Sequence, residues 1–346
     1  MKKNIIILVI ICLTNTIQAQ KNAVHPCLDN YSIPLNIRGV KIARIIYPME
    51  VNSEKVYLLR DSSGLFRITR DGYISLKRNI ALYSSGPFRY GITLKKDNKL
   101  FDLELVKDEF IHNKVIAHRG AWKNHSLTEN TIGSLKKAIE LGCEGSEFDV
   151  WLSADNVPVI CHDGSVHGRQ IEKTTAAELQ KIDLKNGDMV PTLEQYLLTI
   201  KTQNKTRLFL EIKSSGISQE RSLAVADSVV RMVYYLKAQA WVKYISFNYG
   251  VLKRIIQLDP TAFTAYLNGD KKVAELKNDS IKGLDYPFYS FHSDKTLLND
   301  AHQSGLSVNV WTVDNTEEMQ FLLAGGADMI TTNEPEILLA LIKNKK

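Results

Sequence analysis

Residues 115–163 read VIAHRGAWKNHSLTENTIGSLKKAIELGCEGSEFDVWLSADNVPVICHD, and this stretch decides the fold. A short apolar strand runs into His118-Arg119-Gly120. The pattern then predicts a helix from about Asn130 to Leu141, a second strand carrying Glu147 and Asp149, and a third apolar run ending in His162-Asp163. Histidines, carboxylates and an arginine therefore fall on strands or at their ends. Strand ends that open into loops are where α/β enzymes place their chemistry.

The spacing Glu147-x-Asp149 puts both carboxylates on one face of a strand, because successive side chains alternate faces. Facing one cavity, two like charges repel. A hard cation between them relieves the repulsion, and an all-oxygen ligand set favours Mg²⁺ or Ca²⁺ over zinc. Two solvated acids on an edge strand would show the same spacing. Phe148, Val150 and Leu152 argue against that, since they make the opposite face apolar and covered. Leu208-Phe209-Leu210-Glu211-Ile212-Lys213 offers a third carboxylate inside an apolar run. Buried charges are normally paired or metal-bound. A Glu211–Lys213 ion pair would account for this strand alone. Taken with Glu147 and Asp149, a three-carboxylate site for one divalent cation is the better reading.

Working outward, strand and helix patterns alternate from Lys114 to the end of the sequence. Strands are predicted at 114–118, 145–152, 207–213, 242–248, 262–267, 284–291, 307–313 and 327–331, with amphipathic segments between them. Eight strands alternating with helices predict a (β/α)₈ TIM barrel over residues 114–346. Residues 153–191 form an insertion after the second strand, placed to cover the barrel mouth. Residues 30–113 have a different texture. Short alternating runs such as Val40–Ile45, Leu65–Ile68, Tyr73–Leu76 and Leu100–Leu105 are separated by polar turns, which predicts a small sandwich-like β-rich accessory domain. It carries no titratable cluster that suggests catalysis.

The first residues fit a secretory signal peptide. Lys2 and Lys3 precede an unbroken apolar run, Ile5 to Leu13, and a polar segment ending near Ala19. That run is too short to span a bilayer, which needs about 20 residues. Cleavage after Ala19 predicts an exported protein, periplasmic or secreted, with no stable membrane anchor. It lowers the net charge from +6 to +4, because residues 1–19 hold two lysines and no acid. So mild a balance gives no argument for nucleic acid and is compatible with a small anionic substrate. Cys27, Cys143 and Cys161 would remain after cleavage, an odd number that forms no closed disulfide framework. They are read as buried thiols, with a Cys143–Cys161 bridge as the alternative.

The motifs His118-Arg119-Gly120, Glu129-Asn130-Thr131, Glu147-x-Asp149-Val150, His162-Asp163, Glu211-Ile212-Lys213 and Trp311-Thr312-Val313 stand in the order seen in glycerophosphodiester phosphodiesterases. The chain resembles that family from about Lys114 onward, departing from it at Thr128, where a proline is usual. The resemblance implies that Glu147, Asp149 and Glu211 hold the metal. It implies that His118 and His162 act as general acid and base, in an order left open. It also implies that a glycerol hydroxyl next to the phosphate attacks first, giving a cyclic phosphate that water then opens. Arg119 is planar and suits a pair of phosphate oxygens, and Lys213 adds a second positive charge. Trp311 is expected to close the mouth against the glycerol moiety. Glu129, just before a helix, serves either the substrate or the helix N-terminus. The expected activity is hydrolysis of a small glycerophosphodiester to sn-glycerol 3-phosphate and an alcohol. The alternatives are a lysophospholipase D-like enzyme on the same barrel and a binder that has lost turnover. A glycosidase is disfavoured, since it would leave Arg119 and Lys213 unexplained.

Overall fold

Eight parallel strands close into a barrel in the computed structural model, which describes residues 25–47, 56–96 and 98–344. They are β1 (Val115–Ala117), β2 (Gly145–Leu152), β3 (Arg207–Ile212), β4 (Val242–Ser246), β5 (Thr264–Tyr266), β6 (Gly283–Pro287), β7 (Ser307–Trp311) and β8 (Met329–Thr332). Neighbours in sequence are neighbours in space, and β1 closes the ring by pairing with both β8 and β2. The helices that follow the barrel strands are α1 (Ile132–Leu141), α2 (Leu193–Ile200), α3 (Gln219–Tyr235), α4 (Tyr249–Leu258), α5 (Val273–Asn278), α6 (Leu297–Gln303), α7 (Thr316–Gly325) and α8 (Pro335–Lys343), and two short ones are Ala176–Leu179 and Phe288–Ser293.

The sequence of each strand explains its two faces. On β2, Phe148 and Val150 point out and join the core between barrel and helices, where Phe148 stacks on Tyr196 of α2 at 4.6 Å. Glu147 and Asp149 therefore point in. On β3, Leu208, Leu210 and Ile212 point out, leaving Phe209 and Glu211 inside. Asp149 and Glu211 are direct partners across the β2–β3 ladder. A smaller apolar plug of Ile116, Phe209, Ile245, Ala265, Leu267 and Met329 fills the barrel interior. Gly145 makes room for that plug, since a Cβ there would lie 2.5 Å from the Phe209 ring.

One predicted strand ends early. The run expected to extend to residue 291 stops at Pro287, and Phe288–Ser293 is a short helix. Proline has no N–H to continue the ladder. In the following helix only Phe291 is buried, so the run FYSFHS has one anchoring residue rather than an alternating face. Within the insertion, Pro158–Ile160 returns antiparallel along β2, and the remainder folds around its own small core of Val159, Val166, Ile171, Leu179 and Val190. The insertion contributes His162 to the cavity.

The N-terminal residues form two four-stranded, mainly antiparallel sheets. One contains Cys27–Leu28, Lys41–Ile46, Tyr73–Leu76 and Phe66–Ile68; the other contains Ser32–Ile33, Lys99–Lys107, Arg89–Lys96 and Tyr57–Asp61. They share a core that includes Leu28, Ile33, Ile74, Leu76, Leu94 and Leu105. This module packs on the barrel floor, the end at which the strands begin. Lys201 pairs with Glu104 at 3.1 Å, and Asn204 donates to the Lys107 carbonyl at 3.1 Å. Arg207 lies over the Phe110 ring at 3.8 Å. Tyr234 donates to Asp259 at 2.8 Å beside the thiol of Cys27. Cys27, Cys143 and Cys161 are free thiols. The segment read as a signal peptide lies outside the described residues. No helix among the described residues is long and apolar enough to cross a membrane.

Candidate active site

The chain after β1 turns sharply. Arg119 and Gly120 both take positive φ, 57° and 81°. Only glycine adopts that region freely, so Arg119 must be held there. Its N–H donates to Glu147 Oε2 at 2.9 Å, and its carbonyl accepts from the Asn130 N–H at 2.9 Å. Gly120 is required twice over, because a Cβ would also meet Ser134 Oγ at 2.5 Å. Thr131, not Glu129, caps α1, and Gly142 ends that helix in the left-handed region. Glu129 instead receives Arg119 Nη1 at 3.0 Å on both carboxylate oxygens. The turn thereby aims the guanidinium across the mouth.

Glu147, Asp149 and Glu211 are buried, and one carboxylate oxygen of each lies within 4.8 Å of the others. Lys213 Nζ sits 3.1 Å from Asp149 and 2.8 Å from Glu211. Asn130 and Asp149 bond reciprocally: Asn130 Nδ2 donates to the carboxylate at 2.8 Å, and the Asp149 N–H donates back at 3.1 Å. Burial pushes Glu147 well above the usual carboxylate range, reinforced by Asp149 and Glu211. Burial and Asp149 raise Glu211 as well, against Lys213. Burial would raise Asp149 too, but Lys213, His162, Asn130 and Arg119 hold it below its ordinary value. Lys213 and Arg119 alone leave the acids short of positive charge. The three carboxylates thus fit a hard divalent cation by donor type, number and charge.

His118 ends β1. Its Nδ1 faces Asn333 Oδ1 at 2.9 Å, and Asn333 Nδ2 donates to Asp314 at 2.8 Å. That chain orients the amide so that Nδ1 carries the hydrogen and Nε2 is left as an acceptor. Nε2 faces the cavity, 3.9 Å from Glu147. Burial, then Arg119, push this histidine down to about 4, so the ring is neutral at ordinary pH. His162 lines the same cavity from the insertion after β2, with Nδ1 2.8 Å from Asp163. Trp151 Nε1 donates to the His162 carbonyl at 3.2 Å and pins that loop.

The cavity therefore brings together His118, Arg119, Glu147, His162, Glu211, Lys213 and Trp311. Asp149 lies buried beneath them, and Glu129 stands behind Arg119. Trp311 packs edge-to-face on Phe247 at 5.4 Å and donates its Nε1 hydrogen to the Asp285 carbonyl at 2.7 Å. Asp285 also lines the cavity, next to the apolar Ile245 and Leu267. Burial pushes its carboxyl up to about 7, against a hydrogen bond from Asn309 and the charge of Lys243. Sequence reasoning missed Asn130 as a second support for Asp149. It also missed Asp314, Asn333, Phe247 and Asp285. Phe247, Asp314 and Asn333 follow strand ends, and Asn130 stands just before a helix start. The rule that placed the histidines would have flagged them, had each barrel strand's last residue been located.

A closed (β/α)₈ barrel with an acidic cluster at the C-terminal mouth of its strands defines the class, a barrel enzyme with its chemistry on the strand-to-helix loops. The chain belongs to the glycerophosphoryl diester phosphodiesterase family, whose model matches residues 118–337. A glycerophosphodiester phosphodiesterase from Caldanaerobacter subterraneus is 29% identical over 244 residues, covering 66% of this chain and 97% of that protein. A solved glycerophosphodiester phosphodiesterase from Parabacteroides distasonis is 40% identical, with a TM-score of 0.65, covering 69% of this chain and 99% of its own. An Oleispira antarctica phosphodiesterase, solved with its product sn-glycerol-3-phosphate, shares the fold at 24% identity and a TM-score of 0.58, over 66% of this chain and 96% of its own. The family resemblance read from the motifs is borne out, and with it an enzyme that hydrolyses glycerophosphodiesters.

Proposed function

We propose that the chain is a divalent-cation-dependent phosphodiesterase that releases sn-glycerol 3-phosphate and an alcohol, with His118 as base and His162 as acid. The observation that carries this is the pairing of a buried three-carboxylate cluster with two histidines whose Nε2 atoms neither accept nor donate a hydrogen bond among the described residues. A Mg²⁺ or Ca²⁺ ion held by Glu147, Asp149 and Glu211 would supply charge neutralisation at a phosphoryl oxygen. Arg119 and Lys213 bind the remaining phosphate oxygens. His118 Nε2, neutral and fixed by Asn333, takes the proton of the attacking hydroxyl. His162 Nε2 returns a proton to the leaving alkoxide, and Asp163 balances an imidazolium at that position. Residues 30–113 are read as an accessory domain and 114–346 as the catalytic domain. The export reading rests on the pattern of residues 1–19.

The reading is tested by release of sn-glycerol 3-phosphate from glycerophosphocholine with Mg²⁺, with Ca²⁺ and with chelator. Activity must require metal and fall by about 10²–10⁴-fold in His118→Ala. Glu147→Gln must weaken metal binding. Activity that survives both substitutions would falsify the placement of the site. The two histidines are separated by the leaving group. His162→Ala should recover most activity on a glycerophosphodiester of p-nitrophenol, whose phenolate needs no proton, whereas His118→Ala should not. A second reading, a lysophospholipase D-like enzyme, is favoured by the apolar wall of Ile245, Phe247 and Leu267 on the cavity. Turnover of lysophosphatidylcholine in preference to glycerophosphocholine would select it.

A further inference from the structure

Asp285 has no place in the acid–base pair, the metal cluster or the phosphate clamp, yet it lines the same cavity and is 1% exposed. In an eight-stranded barrel the strand four places away stands opposite, so Asp285 on β6 faces the β2 carboxylates across the mouth. Among the described residues no lysine or arginine nitrogen lies within ion-pair distance of it. Asn309 Nδ2 donates to Oδ1 at 2.9 Å, and Oδ2 accepts nothing from the described side chains. Asn309 Nδ2 also reaches Thr331 Oγ1 at 2.8 Å, which locks the amide in place. Lys243 acts on it only from beyond ion-pair distance, and a buried carboxyl without an ion-pair contact destabilises a fold, so packing gives little reason for it. In a cleft, such a group points to something it binds. Beside it stands Trp311, tied to the Asp285 carbonyl. A directional acceptor next to an aromatic ring suits an alcohol: the oxygen takes the O–H and the ring covers the C–H face.

We propose that Asp285 accepts a hydrogen bond from the terminal hydroxyl of the substrate's glycerol, held against Trp311, and thereby selects glycerophosphodiesters whose glycerol is not acylated. The inference rests on the phosphodiesterase reading above. With the phosphate on the β1–β3 side, the glycerol carbon farthest from phosphorus extends towards β6. An acyl ester at that carbon has no hydrogen to donate and leaves the carboxyl unpaired. The site then disfavours a lysophospholipid even though Phe247 and Leu267 offer it apolar surface. A quaternary ammonium head group also attracts carboxylates and aromatic faces. Here, however, Trp311 and Phe247 meet at 81°, edge to face, and Asp285 is enclosed, which suits one hydroxyl better than a bulky cation.

The experiment compares kcat/KM for glycerophosphocholine and for its analogue with hydrogen in place of the terminal hydroxyl. Both keep the hydroxyl next to the phosphate. Wild type should favour the parent by about ten- to a hundredfold, the effect of one hydrogen bond to a buried carboxyl. In Asp285→Ala the ratio should fall towards one, and Asp285→Asn, which keeps the shape and an acceptor, should lie between. Should Asp285→Ala not fold, Asp285→Asn still decides, since an unchanged ratio there overturns the proposal. Equal losses on both substrates overturn it as well. So does a changed preference between choline and ethanol leaving groups with the hydroxyl ratio unmoved. A wild type that hydrolyses neither substrate removes the phosphodiesterase reading alone. Calorimetry with Mg²⁺ then decides: sn-glycerol 3-phosphate must bind wild type more tightly than 1,2-propanediol phosphate, and equally in Asp285→Ala. Equal binding by wild type overturns the proposal.

Discussion

His118 shows how a single residue is tuned by what surrounds it. Burial and Arg119 depress its folded value to about 4, below the usual 6.5. A histidine depressed in this way contributes stability that is complete above pH 6.5 and is lost as pH falls towards 4, because the unfolded chain takes up the proton first. The loss should amount to about 3 kcal/mol at most. Denaturant unfolding at pH 7 and pH 4.5 should therefore show a smaller difference in His118→Gln than in wild type. An unchanged difference would mean that the ring is not desolvated as the structure has it. Asn333→Ala probes the same residue from behind. Freed from its orienting amide, His118 should keep substrate affinity while kcat falls about tenfold or more, so KM and kcat should separate. The sequence made His118, His162 and the three acids legible because each sits at a strand end or on an inward strand position. It could not show Asp314 and Asn333 acting on His118, since that chain joins β7, β8 and β1 and exists only once the barrel closes.

At the level of elements, the barrel was readable because its strands are buried on both faces and its helices are amphipathic. The bounds of β2 match the predicted 145–152 throughout. The departure is at β6, where FYSFHS looks as apolar as a strand but Pro287 stops the ladder. Propensity and apolarity alone do not separate a short buried strand from a half-buried helix turn. Two glycines carry sharper consequences. Gly145→Ala drives a Cβ to 2.5 Å from Phe209 and 2.8 Å from Ile116, inside a plug with nowhere to yield. It should cost about 1–3 kcal/mol in denaturant unfolding. Gly120→Ala meets Ser134 and a forbidden φ together, so it should reduce both stability and activity, by moving Arg119 and His118. If Gly120→Ala lost stability and kept full kcat, the turn would not be what positions those side chains.

Across the whole molecule, metal binding and folding should be coupled. A cation that binds the folded cluster and not the unfolded chain adds about 2.7 kcal/mol at a hundred times its Kd. Mg²⁺ or Ca²⁺ should raise the melting temperature of chelator-treated protein, and Glu147→Gln should shrink that rise. Lys201 tests the union of module and barrel. Its Nζ bonds Glu104 on one side and the Leu236 carbonyl on the other. Lys201→Met should destabilise the protein by about 1–3 kcal/mol while specific activity per folded molecule holds, because the mouth is at the far end. That polarity reaches further. The strand Cys27–Leu28 borders the floor beside Tyr244 and Asp259. α8 runs back from the mouth after β8, as barrel helices do. Both ends of the described chain therefore leave from the pole opposite the cavity. Coupled to a bead, a fusion partner or a sensor surface by either end, the molecule would stand with its opening facing solution, so grafting chemistry at the termini need not compete with substrate for access.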